Sequence, residues 1–355
     1  VRDVAAAAQV SVGVASVALR DAKSTIRVGA PTRERVRRVA RQLGYSPNPA
    51  AQALRTGRTN AIGVVVRQLR HPFFMAVIEG IDRACRAAGY HMLLGHVHAD
   101  EGEERAVVEL FARGPTDGLL VLGAVPHDEE VIGAALARGL PTVLVDRAAL
   151  PGAPAVTIDY EAGLRLALDH LSGLGHRVLA LPEYREMEAR PTARLRLAVA
   201  EAYAGARGWP APLRFDASQA EAGHLGSWLR GAVSATPGLS AVLASDLLAV
   251  GMLKAAQGAG IDVPGQLSIV ALDGTDITTY TTPELTAITP PLSELGATAA
   301  ELLLRQVRAT APGPSGGATG PGGRDVAAPD GATTLRLPPA LTPRASTAAR
   351  PLPSR

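Results

Sequence analysis

Apolar residues recur along this chain with two different spacings. Over the first 45 residues they fall three and four apart, the interval of helices with one buried face. Residues 3–10, DVAAAAQV, open with Asp3, which can cap a helix, and place Val4, Ala5 and Ala8 on one side. Residues 11–19, SVGVASVAL, predict a second helix, capped by Ser11 and packed through Val14, Ala15 and Ala18. The step between them is short and the side chains are small. This is helix-turn-helix spacing, in which the second helix enters the major groove of DNA. A plain helical hairpin fits the same spacing. A third segment, TRERVRRVARQLGY, has Thr32 as its expected cap and Val36, Val39, Ala40 and Leu43 on one face. Arg33, Arg35, Arg37, Arg38 and Arg41 surround that face, and Gly44 stops the helix.

Residues 46–60, SPNPAAQALRTGRTN, follow. Pro47 and Pro49 restrict the entry, and Pro49 suits a first helical turn. The piece AAQALR is too short to hold a helix alone in water. It would fold only against something, and a DNA minor groove is such a surface. Leu54 would then wedge between base steps, with Arg55 or Arg58 near phosphates. A simple linker is the other reading.

From residue 61 the pattern becomes buried strand, amphipathic helix, buried strand. Strands are predicted at 61–66, 91–97, 117–123, 141–146, 156–160, 177–182, 239–245 and 267–273. Helices are predicted at 73–90, 101–113, 129–139, 163–175 and 247–260. Alternation of this kind, with short connections and Val/Leu/Ile strands, is parallel α/β order. Two such halves imply a cleft between them, with ligand groups at the strand C-termini. His71 to Phe74, Asp146, Arg147, Ser245, Asp246 and Asp273 stand at those ends. Carboxylates there accept hydrogen bonds from hydroxyl groups, and arginine donates them.

Composition narrows the class. The chain has 355 residues, 47% hydrophobic and 19% charged, enough for more than one globular domain. The single cysteine, Cys85, excludes a disulfide framework or a cysteine-rich metal site. No apolar run reaches the roughly 18 residues of a membrane span. Arg2 and Asp3 come first, and Gln9 and Ser11 interrupt the alanines after them, so no export signal is read and a cytoplasmic protein is expected. Charge is uneven. Residues 1–60 hold 11 basic and three acidic side chains, and the remainder holds 25 and 30. A basic head on a mildly acidic body points to a polyanionic partner.

Enzyme signatures are missing. The chain has no GxGxxG after its first strand, no GxxxxGK[ST], no GxSxG and no HExxH. His96 and His98 alternate without a third ligand nearby. No catalytic residue, metal or cofactor is expected.

The ordered motifs DVAAAAQVSVGVASVALR, TRERVRRVARQLGYSPNPAAQALRTGRTNAIGVVV, HPFF, DGLLVLG, VLVDR, LGHRVLAL, IDVPGQLSIVALD, PELTAI and LPPALTPRAST together resemble the LacI/GalR family of bacterial transcription regulators. The resemblance runs nearly end to end. It implies an α/β fold of two parallel, doubly wound subdomains with periplasmic-binding-protein type I architecture, preceded by an all-α helix-turn-helix head. The corresponding domains are a DNA-binding head at 1–45, a hinge at 46–60 and an effector-binding and dimerisation domain at 61–355. It implies a homodimer that binds a double-stranded operator and responds to a small effector in the cleft, a sugar ahead of a nucleoside or purine.

Site residues follow by resemblance. Ser11, Val12, Gly13, Val14 and Ser16 lie on the turn and recognition helix, with Arg20 and Thr32 beside them. Asn48, Gln52, Leu54 and Arg55 belong to the hinge. Phe73, Phe74, Arg196, Ser245, Asp246 and Asp273 are the expected effector contacts, with Asp146 and Arg147 as further candidates. Arg194 competes with Arg196 for the same contact. Phe73 and Phe74 could stack on a ring or simply plug the core.

The departures from the family pattern matter. Val17 stands where the family has an arginine, Arg20 replaces an asparagine, and Gln9 replaces the glycine of the inter-helix turn. Gly13 offers no side chain to a base edge. One bidentate arginine is worth about 1–3 kcal/mol of base discrimination. A degenerate member that binds DNA weakly and acts mainly as a soluble ligand-binding protein is therefore an alternative, and a regulator controlled by protein contacts is another. Residues 311–330 include the Pro/Gly-rich run APGPSGGATGPGG and are expected to be a disordered insertion.

Overall fold

Small side chains bring the first three helices together. α1 (Arg2–Ala7), α2 (Val12–Ala18) and α3 (Ala30–Gln42) surround a core of Val4, Ala5, Ala8, Ala15, Ala18, Val36 and Ala40. The computed structural model describes residues 1–19, 27–45, 53, 57–67, 69–97, 101–123, 129–184, 191–217, 224–310, 325–327 and 333–350. Ser11 caps α2 as expected, its Oγ accepting from the Val14 N–H at 3.2 Å. Asp3 and Thr32 are not caps. α1 starts one residue after Val1, leaving Asp3 inside the first turn, where a negative charge still favours the helix. α3 starts after Gly29, because Pro31 fits the first turn of a helix, and Thr32 is already helical. On α2, Val17 is buried with Ala15 and Ala18, whereas Val14 is half-buried. Leu43, expected on the packed face of α3, is exposed. Gln9, in the turn between α1 and α2, adopts φ +50°.

The chain divides after Asn60 into two units, Val1–Asn60 and Ala61–Arg355. The second unit contains two sheets. The first joins β1 (Ala61–Val66), β2 (His91–His96), β3 (Gly118–Leu122), β4 (Thr142–Val145) and β5 (Ala155–Ile158) with two later strands, β11 (Asp325–Ala327) and β12 (Thr333–Leu337). Its order is β11-β12-β5-β4-β3-β1-β2. The second sheet holds β6 (Val178–Glu183), β7 (Leu213–Asp216), β8 (Leu239–Ala244), β9 (Ser268–Ala271), β10 (Thr286–Thr289) and β13 (Ala340–Thr342), in the order β13-β10-β9-β8-β6-β7. All pairings are parallel except β11–β12 and β10–β13. β1 and β3, and β8 with its single polar residue Ser240, are buried at every position, as strands covered by helices on both faces must be.

The chain crosses between the sheets three times, after β5, after β10 and after β12. The second crossing runs through helix Leu292–Ala309, which packs on helix Pro72–Ala87. Their backbones touch at two glycines. A Cβ on Gly80 would stand 2.0 Å from the Ser293 carbonyl oxygen, and one on Gly296 would stand 2.0 Å from that of Val77.

Three residues within the insertion expected at 311–330 are described. Asp325–Ala327 forms an antiparallel edge strand on Thr333–Leu335, which β12 can accept because its outer edge is otherwise unpaired. The rest of that insertion lies outside the described residues. Among the described residues, no helix is long and apolar enough to cross a membrane, and no group of three metal-ligating side chains occurs.

Candidate functional site

The strands of both sheets present their C-terminal ends to one cavity of about 460 Å³. Arg67 follows β1, Gly123 follows β3, Asp146 follows β4, Tyr160 lies just past β5 and Ser245 follows β8. Asp273 lies two residues beyond β9, and Arg196 comes from helix Pro191–Gly205. Phe73 and Phe74 line it from the start of helix Pro72–Ala87. His71 caps that helix, its Nδ1 accepting from the Phe73 N–H at 3.3 Å.

Four polar side chains meet at the cavity. Arg196 Nη2 donates to Asp273 Oδ1 at 3.0 Å and to the Leu272 carbonyl at 3.1 Å. The Arg196 guanidinium also sits 5.2 Å from the centre of the Tyr160 ring. The Tyr160 hydroxyl donates to Asp146 Oδ1. Asp146 holds φ +59°, a conformation that aspartate tolerates better than most side chains. Burial raises the Asp146 carboxyl to about 7, against the downward pull of the Tyr160 hydrogen bond and of Arg196. Burial, and then the charge of Asp146, push the Tyr160 hydroxyl well above its usual range. Burial is the largest single influence and works against the Arg196 charge, but Asp273, Tyr160 and Tyr184 together outweigh it and the guanidinium is held more firmly protonated than usual. The cluster thus offers carboxylate acceptors beside a fixed planar donor. That is the chemistry that recognises a ring bearing several hydroxyl groups.

Six of the eight expected effector contacts come together here: Phe73, Phe74, Asp146, Arg196, Ser245 and Asp273. Phe73 is buried in the core and also lines the cavity. Asp246 and Arg147 do not line the cavity. Asp246 is buried, and its carboxylate accepts from the N–H groups of Asp273, Gly274 and Thr275 and from the Thr275 hydroxyl. Burial and the Asp273 charge raise its carboxyl, while the Thr275 bonds pull it down. It is a brace for the site. Arg194, the rival of Arg196, also stays out of the cavity wall. Sequence reasoning missed Tyr160, read as the end of a strand. Asp159 instead caps helix Tyr160–Gly173, its Oδ1 accepting from the Ala162 N–H at 3.0 Å, which turns Tyr160 toward Asp146. An aspartate followed by an aromatic residue just beyond an apolar strand was the available signal.

In the head, Ser11, Val12 and Gly13 are exposed on the first turn of α2. Val14, Ser16 and Thr32 are half-buried. Val12 offers an apolar contact of the kind that meets a thymine methyl. Arg20, Asn48, Gln52, Leu54 and Arg55 lie outside the described residues.

The chain is similar to known proteins in sequence and in fold. Residues 1–48 match the family described as bacterial regulatory proteins, lacI family, and residues 168–347 match the periplasmic binding protein-like domain. The HTH-type transcriptional regulator PtxS of Pseudomonas plecoglossicida is 31% identical over 280 residues, covering 78% of this chain and 80% of that protein. The lac repressor dimer bound to operator and the anti-inducer ONPF is 25% identical, with a TM-score of 0.77 over 98% of each chain. A LacI family regulator from Enterococcus faecium with bound ribose is 25% identical, with a TM-score of 0.66 over 82% of this chain and 100% of that one.

Proposed function

This chain belongs to the LacI/GalR family of bacterial transcriptional regulators, and we propose that it is a cytoplasmic, homodimeric repressor whose hold on a near-palindromic operator is set by a sugar bound in the cleft. It is a DNA-binding regulator and not an enzyme. The observation that carries the sugar reading is the Asp146–Tyr160 and Arg196–Asp273 cluster at the strand ends, which pairs acceptors with a rigid donor. The ribose held by the Enterococcus faecium regulator supports the same chemistry. The operator-bound lac repressor dimer supports the two-headed geometry. The ligand acts only through its difference in affinity for the two states of the protein, commonly about 1–3 kcal/mol. Ser11, Val12, Gly13, Val14, Ser16, Arg20 and Thr32 face the DNA from the head, and Asn48, Gln52, Leu54 and Arg55 from the hinge.

One observation favours a second reading. Val17, at the position of the family arginine, is buried on α2, so no side chain there reaches a base. Base reading would then rest on the first turn of α2, on the hinge and on groove shape. Footprinting on the region around the protein's own gene, at two salt concentrations, tests both. A protected near-palindrome that persists at the higher salt supports the regulator. Sequence-blind binding that vanishes with salt supports the degenerate member.

A further inference from the structure

The packing that seats α2 in the head is thin. Its core holds Ala5, Ala8, Ala15, Ala18 and Ala40, with only Val4 and Val36 larger. Methyl groups interlock poorly, so packing alone sets the rotation and tilt of α2 loosely. The helix has seven residues and is about 10 Å long. Directional bonds at its two ends therefore decide how it lies. Ser11 holds the N-terminal end. At the other end the last carbonyl groups have no partner within the helix. The last turn of α2 carries no basic side chain of its own. α3 supplies one: Arg37 Nε donates to the Ala18 carbonyl at 3.3 Å. A cation there also meets the negative end of the helix dipole. Arg35, Arg38 and Arg41 of the same helix are exposed, whereas Arg37 is half-buried, next to the core residue Val36.

We infer that Arg37 is a positioning residue for operator recognition. It pins the C-terminal end of α2, and so fixes where Val12 and Gly13, at the opposite end, meet the major groove. The inference rests on the reading of the head as an operator-binding unit. It separates Arg37 from a phosphate-binding arginine, because the group that acts is the Nε donor and not the charge. Glutamine places its side-chain amide nitrogen the same number of bonds from the main chain as Nε. Arg37→Gln therefore keeps the donor and loses the charge. Arg37→Met puts a methyl group at that place and loses both, and both residues suit a helix.

The test titrates the full chain and both variants onto the DNA around its own gene that footprinting protects, and onto a scrambled fragment of equal length, at several salt concentrations. Arg37→Gln is expected to bind the protected fragment within about threefold of the native chain, because the donor remains and the lost charge is screened. Arg37→Met should bind it about tenfold more weakly than Arg37→Gln, the scale of one hydrogen bond, and bind the scrambled fragment equally. Hydrogen exchange should quicken in α2 of Arg37→Met and stay unchanged in α1. Exchange that quickens throughout the head overturns the inference, since Arg37 then stabilises the head and does not aim α2. Equal binding of the protected fragment by the two variants also overturns it and leaves the operator reading intact. If both then show a salt slope smaller by about one than the native chain, Arg37 is a phosphate contact. A native chain that binds protected and scrambled DNA alike overturns both the inference and the operator reading.

Discussion

Asp246 and Asp273 hold each other reciprocally. The main-chain N–H of Asp246 donates to Asp273 Oδ2 at 3.2 Å, and the main-chain N–H of Asp273 donates to Asp246 Oδ1 at 2.9 Å. The pair ties the first residue of helix Asp246–Gly258 to the turn after β9, and so fixes the carboxylate that Arg196 engages.

Asp246→Ala removes the acceptor for three main-chain N–H groups and the Thr275 hydroxyl. Leaving buried donors unpaired costs about 1–3 kcal/mol each, and relaxation spares part of that, so a loss of about 3 kcal/mol is expected in urea unfolding. Asp246→Asn keeps one oxygen and recovers part of it. A loss below roughly 0.5 kcal/mol, no more than the scatter of surface changes, would mean that Asp246 does not brace the site.

Asp146 sets a pH dependence. Its folded carboxyl titrates near about 7, whereas an unfolded aspartate titrates near about 3.9. The folded state therefore holds the proton more tightly. Stability from this group is full below about pH 4, declines as pH rises toward about 7, and is level above that. Asp146→Asn cannot ionise. The stability of the variant relative to the native protein should rise across that window, in urea midpoints taken at several pH values. A constant difference would place the carboxyl in an ordinary, solvated environment.

Gly80→Ala and Gly296→Ala put a methyl group into a facing backbone carbonyl. Each should cost about 3 kcal/mol, the upper end for overpacking, because a backbone cannot step aside as a side chain can. Gly133→Ala is the comparison. Its Cβ meets nothing within 4 Å on helix Glu129–Ala137, so it should be neutral or stabilising by up to about 1 kcal/mol. Thermal melts that rank the three otherwise would contradict the close helix pairing.

Gln9 occupies the left-handed region at φ +50°. A side chain there costs about 1–2 kcal/mol, and glycine pays back part of that gain in backbone entropy. Gln9→Gly should stabilise the head by roughly 0.5–1 kcal/mol, read as slower hydrogen exchange of the α1 and α2 amides. Faster exchange would mean that Gln9 makes a compensating contact.

Much of the α/β order was legible because buried parallel strands are continuous apolar runs, as in AIGVVV and GLLVL. Helix Leu292–Ala309 was equally legible but was not read. Leu292, Leu295, Gly296, Ala299, Ala300, Leu303, Leu304 and Val307 keep helical spacing and are all buried. Strand β11 was hidden by the Pro/Gly-rich run before it, since composition speaks for a segment and not for three residues borrowed by a sheet edge. In the site, the rule of strand ends located Asp146, Ser245 and Asp273, but it could not separate Asp246 from them. Adjacent residues at a helix start point in different directions, and only the fold shows that Asp246 turns inward to the main chain of residues 273–275.

The central claim is that cleft and head are linked through one protein. The direct measurement is titration of the full chain onto its footprinted operator, with and without a sugar found by calorimetry to bind the chain, at one fixed salt concentration. A shift in operator affinity of about 5–150-fold is predicted, with the same factor appearing when sugar affinity is measured with and without operator. Operator affinity that stays the same at saturating sugar would contradict the claim, whatever the strength of either binding alone.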